Sequence, residues 1–121
     1  LGKVRPLFKK AILPIYWLFL TYMLLKPGVE NQEYWFMFPG IDKLIHLCVF
    51  AFLGLSLLMS FKKLNLIYFF GIIFIYGSGT EILQEVMHMG RSFELLDILA
   101  DVAGGSLGLL TYKVLLKYLP N

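Results

Sequence analysis

Four stretches of this chain each approach the length and apolarity that a helix needs to cross a lipid bilayer, and little sequence is left over for anything else. They run approximately from Leu7 to Leu25, Leu44 to Phe61, Leu64 to Leu83 and Ile98 to Leu119. A helix rises about 1.5 Å per residue, so roughly 20 apolar residues span a hydrocarbon core about 30 Å thick. Inside that core the backbone must satisfy its own hydrogen bonds, which leaves helices as the only form open to segments of this kind. The reading is an all-α, integral membrane four-helix bundle forming a single domain over residues 1–121. Composition agrees: 59% of the 121 residues are hydrophobic and only 16% are charged, too few polar side chains to cover a soluble globule of this size.

The boundaries have local causes. Pro14 falls in the early turns of the first span, where a ring without an N–H is expected to kink the helix, and Pro27 with Gly28 stops it. Basic residues before this span give it the look of a signal peptide. No small-residue cleavage pattern follows Leu25, so it reads as a retained span. Only Lys62, Lys63 and their immediate neighbours separate the second and third spans, which makes a tight helical hairpin.

Charge sets the expected orientation. Lys3, Arg5, Lys9, Lys10, Lys62, Lys63, Lys113 and Lys117 fall on one side of a four-span arrangement. Cytoplasmic flanks retain Lys and Arg, so both termini are expected to be cytoplasmic. Lys26, Lys43 and Arg91 fall on the other side with every carboxylate: Glu30, Glu33, Asp42, Glu81, Glu85, Glu94, Asp97 and Asp101. The formal charge of +3 does not imply nucleic acid, because the basic residues flank spans and form no stripe. A single cysteine, Cys48, excludes a disulfide within the chain and reads as an inert buried thiol.

The one-sidedness of the acids points to a site. Asp42 and His46 are four residues apart and share a helical face, as do Glu81, Gln84, Glu85 and His88, and Asp97 with Asp101. The second and fourth spans enter the membrane where the third leaves it, so the three stripes reach similar depth and can converge. Carboxylates at membrane depth are costly and face a bundle interior or a wet cavity. Glu81 and Asp101, with apolar residues on both sides, carry most of this argument. A purely structural reading stays open: Asp42 and Asp97 as helix caps, Lys43 and Arg91 as neutralising partners, the whole set tying helices together.

Gly104 and Gly108 form a small-xxx-small pair suited to close helix packing, while Gly77, Ser78 and Gly79 invite either packing or a bend near Glu81. Tyr34, Trp35, Phe36 and Phe38 suit a loop in the headgroup region, as an anchor or as a lip over the site. Gly90 and Arg91 end the third helix, and Ser92 can begin a short amphipathic turn through Phe93, Leu95 and Leu96, with Arg91 over the carboxylates.

These motifs resemble the VanZ-like family, small bacterial membrane proteins named after an accessory factor in teicoplanin resistance. The resemblance rests on Asp42-Lys43-x-x-His46, Glu81-x-x-Gln84, Arg91, and Asp97-x-x-x-Asp101-x-x-Gly104-x-x-x-Gly108, in that order over about seventy residues. The family commonly carries Asn where this chain has Asp101, so here the site gains a carboxylate. The resemblance implies a four-helix module of the bacterial cytoplasmic membrane, linked in some members to glycopeptide tolerance.

The function expected from these residues is recognition of an amphiphile's headgroup in a pocket on the extracytoplasmic side, the ligand being a lipid-linked wall precursor or an acylated glycopeptide. Lys43 and Arg91 would pair with phosphate or carboxylate. Asp42, His46, Glu81, Gln84, Asp97 and Asp101 would line the same site. An enzyme acting on a lipid-linked envelope substrate is the alternative, with His46, Glu81 and Asp101 as the candidate catalytic residues. The same His, Glu and Asp groups could hold a divalent ion, but their spacing does not specify one, and no cofactor or metal is expected. The expected partners are the bilayer and a lipid-linked or lipidated small molecule; the oligomeric state is not legible. Transport is disfavoured, because the cytoplasmic halves of the spans lack matching ionisable groups.

Overall fold

A computed structural model of the chain describes residues 2–25, 41–86 and 95–119, without the side chains of Ile41, Asp42 and Gln84. Four helices account for nearly all of these residues: α1 over Arg5–Leu25, α2 over Ile41–Ser60, α3 over Leu66–Val86 and α4 over Leu95–Tyr118. Each is long and apolar enough to cross a membrane. The expected four-helix membrane bundle is the fold, with each helix beginning or ending two or three residues from the expected bounds. The helices are apolar nearly all round. Leu18, Tyr22, Ile67, Phe74, Ile75 and Leu110 point outward, as they do where lipid rather than water surrounds a bundle.

The centre is built from Phe50, Leu53 and Leu57 of α2 against Phe69 and Ile73 of α3, with Leu20 of α1 and Tyr112 of α4 closing the cluster. The most extensive helix pair is α2 with α4, and small residues explain it. A Cβ on Gly104 would overlap the carbonyl oxygen of Leu47, and one on Gly108 would stand 2.8 Å from the amide nitrogen of Leu55. Glycine at both positions lets the two backbones touch, as the small-xxx-small spacing implied.

Pro14 has its effect one turn earlier than the proline itself. Phe8–Ile12 is wound as a π-helix, and the Leu13 N–H reaches back to the Phe8 carbonyl. A proline ring clashes with the carbonyl four residues before it, here Lys10, and a wider turn relieves that clash. Below this turn Arg5 reaches across the bundle. Its guanidinium donates to the carbonyls of Leu58 (3.1 Å) and Met59 (3.2 Å) at the end of α2 and to the Tyr112 hydroxyl of α4. These carbonyls lie in the last turn of α2, where the helix lacks internal donors. Arg5 thereby ties the start of α1 to the end of α2 and the later part of α4, in addition to marking a membrane flank. Arg5→Ala is expected to cost about 2 kcal/mol, the range for hydrogen bonds to a charged group, read as an earlier unfolding transition in detergent.

The α2–α3 connection is the tight hairpin expected, with Lys62 and Lys63 in its turn. Asn65 ends it by accepting the Ile67 N–H on its side-chain oxygen at 2.8 Å, capping α3. A shallow hollow bordered by Lys9, Ser60, Phe61 and Lys62 opens at this basic end. Cys48 corrects an expectation: it is exposed rather than buried. Two residues of helix turn it about 200° from His46, onto the outer surface of α2. The segments holding Pro27, Gly28 and the Tyr34–Phe38 aromatics, and those holding His88, Gly90, Arg91, Ser92 and Phe93, lie outside the described residues.

Candidate functional site

The acidic end of the bundle lies opposite the Arg5 clasp, where α2 and α4 begin and α3 nears its end. His46 stands in the second turn of α2, Asp97 in the first turn of α4 and Asp101 one turn further on, and Glu81 approaches from α3. All four are buried, with residual exposures of 6% for His46, 1% for Glu81, 8% for Asp97 and 1% for Asp101. Three helices therefore deliver ionisable side chains to one place, which a chain does at considerable cost in a low-dielectric setting.

The central contact joins His46 Nδ1 to Asp101 Oδ1 at 2.7 Å, across α2 and α4. The second oxygen of Asp101 accepts nothing from the described residues and lies over Gly77 of α3. A Cβ at Gly77 would come within 2.6 Å of that oxygen. The Gly77-Ser78-Gly79 run thus sits inside a continuous helix, and Gly77 provides the room that Asp101 occupies. Thr80 adds to this face of α3, donating to the carbonyls of Tyr76 and Gly77.

A second contact lies nearer the bundle's edge. Lys43 Nζ is 3.2 Å from Asp97 Oδ1, close enough for an ion pair though not aligned as a hydrogen bond, and the lysine side chain keeps 28% of its surface exposed. Asp97 thus enters the cluster as a partner of α2, and from inside the first turn of α4 its charge also suits the helix dipole. A ring nitrogen of His46 and carboxylate oxygens of Glu81 and Asp97 all fall within 4.8 Å of one another. Under the cluster, Phe50 lies parallel to the His46 ring, their centroids 6.4 Å apart.

Of the residues the sequence marked, the structure brings together Lys43, His46, Glu81, Asp97 and Asp101. Glu85 does not join them; it lies in the last turn of α3 and is exposed. The side chains of Asp42 and Gln84, and the whole of His88 and Arg91, lie outside the described residues. Sequence spacing paired His46 with Asp42 on its own helix. The described partner is Asp101, on another helix, and only tertiary register could have shown it.

Such a cluster can bind a polar or charged group, exchange protons through the His46–Asp101 pair, or collect a cation. Residues 7–116 match a protein-family model described as VanZ/LLP1. No curated protein and no solved structure matches the chain.

Proposed function

The chain belongs to the VanZ/LLP1 family, and from that premise we propose that it binds the headgroup of an amphiphile at the membrane boundary and so contributes to tolerance of teicoplanin-type glycopeptides. The observation that carries this reading is the burial of His46, Glu81, Asp97 and Asp101 in one cluster with Lys43 at its edge. A bundle that needed only to cross a membrane would not require three carboxylates at this depth, where each is costly. Lys43 is the group best placed to meet a ligand's phosphate or carboxylate first, and Arg91 is the companion that the sequence offers. The carboxylates then accept hydrogen bonds from sugar or amide groups. The apolar part of the ligand, a polyprenyl or acyl chain, stays in the bilayer beside the helices. In this reading the site faces the extracytoplasmic side of a bacterial cytoplasmic membrane, where both wall precursors and glycopeptides are found.

The test is expression in a teicoplanin-susceptible Gram-positive host. Wild-type chain is expected to raise the inhibitory concentration. Lys43→Ala and Glu81→Gln are expected to return it to the empty-vector level while the variants remain in the membrane at wild-type abundance. Tolerance unchanged in both variants would refute the site. Native mass spectrometry of gently extracted protein is the companion measurement, with a retained amphiphile expected on the wild type and missing from Glu81→Gln.

The 2.7 Å His46–Asp101 bond, with Glu81 close by, favours one second reading: acid–base chemistry on a lipid-linked envelope substrate. Turnover of such a substrate that disappears in His46→Gln would favour the enzyme over the binder.

A further inference from the structure

Independently of headgroup recognition, we propose that His46, Glu81 and Asp97 bind a divalent transition-metal ion, with Asp101 positioning the histidine. Three different helices each contribute one donor, and the donor atoms lie within 4.8 Å of one another. Ligands held about 2.1 Å from a tetrahedral ion stand roughly 3.4 Å apart, so modest side-chain rotations close the set around a cation.

Asp101 supplies a second and separate observation. It is 1% exposed, it takes His46 Nδ1 on one oxygen at 2.7 Å, and its other oxygen is without a partner among the described residues. A carboxylate behind the inner nitrogen of a histidine is the usual means of orienting a metal-bound imidazole and raising its basicity. With Nδ1 engaged, Nε2 is the nitrogen left for a ligand. Gly77 leaves the space in which Asp101 takes up this position.

The donor chemistry narrows the ion. Mg²⁺ and Ca²⁺ take shells of oxygen ligands, whereas an imidazole with two carboxylates suits Zn²⁺ or Mn²⁺. Carboxylates from two helices crowded into a low-dielectric setting repel one another, and a cation among them turns that repulsion into attraction. Three protein donors also leave a coordination position for water, the pattern of sites that keep an exchangeable ligand.

The full chain in detergent is stripped with chelator, loaded with ZnCl₂, desalted and measured for metal by mass spectrometry. The wild type is expected to retain about one zinc per chain, as a three-donor site does. Glu81→Gln and Asp97→Asn, both close in shape to the residues they replace, are expected to fall to the level of the blank. Asp101→Asn is expected to weaken zinc affinity by about 10–100-fold in competition with a chelating dye, the size of effect typical of outer-shell partners. Helical circular dichroism and a single elution peak certify the fold of each variant. Absence of zinc above the blank in the wild type, retention of wild-type zinc by Glu81→Gln, or displacement of zinc by equimolar Mg²⁺ would each overturn the proposal. No amphiphile is present in the assay, so a negative result removes the ion and leaves headgroup recognition to its own test.

Discussion

Alanine at both Gly104 and Gly108 is expected to destabilise the bundle by about 2–6 kcal/mol, taking overpacking at about 1–3 kcal/mol per site. The new methyl at 104 would run into the Leu47 carbonyl and that at 108 into the Ala51 carbonyl, both on α2. Those oxygens belong to the hydrogen-bond ladder of α2 and cannot swing aside as a side chain could. The two helices would have to separate, loosening their long contact. Gly71 and Gly79 of α3 are the controls, because a Cβ at either meets nothing within 4 Å. Alanine there is expected to be neutral or to stabilise by up to about 1 kcal/mol through helix propensity. Unfolding in mixed detergent micelles measures all four. If the double variant unfolds with the wild type, the backbone contact is not where the stability of the α2–α4 pair resides.

The second large effect concerns the buried pair. Asp101→Ala strands His46 at 6% exposure without the carboxylate that engages its Nδ1, and a buried pair broken from one side typically costs about 3 kcal/mol. His46→Ala is expected to cost a similar amount by stranding Asp101. The double variant is expected to be less destabilised than the two singles together, by a coupling of about 1–3 kcal/mol, since residues in direct contact are not additive. Additive losses would show that the two side chains contribute separately, and the cluster would then be a set of neighbours rather than a connected unit.

The architecture was largely legible in the sequence because its cause is one-dimensional. A run of apolar residues near bilayer length has essentially one fold available to it, and the glycine spacing at 104 and 108 has one common use. Convergence of three helices at one end was legible as well, since successive spans alternate direction and fix which of their ends are neighbours. Contacts between helices were not. The four-residue spacing of Asp42 and His46 says that they share a face, and the same spacing placed Glu85 beside Glu81. Neither spacing reveals how far each helix is rotated towards its neighbours, and Glu85 turns out exposed. Arg5 shows the same limit from the other side. Its charge marked a membrane flank, while its hold on the carbonyls of Leu58 and Met59 depends on where the end of α2 comes to rest. The effect of Pro14 was foreseen as a kink and is found as a widened turn at Phe8–Ile12, because the steric conflict lies with a carbonyl one turn upstream.

The aspartates 97 and 101 have a consequence for how this protein is made. They sit in a helix that is synthesised after α1, α2 and α3, and a segment bearing two acids enters hydrocarbon poorly by itself. By the time it emerges, the helix that carries His46, Lys43 and the carbonyl groove for Gly104 and Gly108 is already in place to receive it. Insertion of α4 and assembly of the cluster are therefore a single event, and a ribosome stalled before residue 95 leaves Glu81 and His46 awaiting the partners that α4 brings.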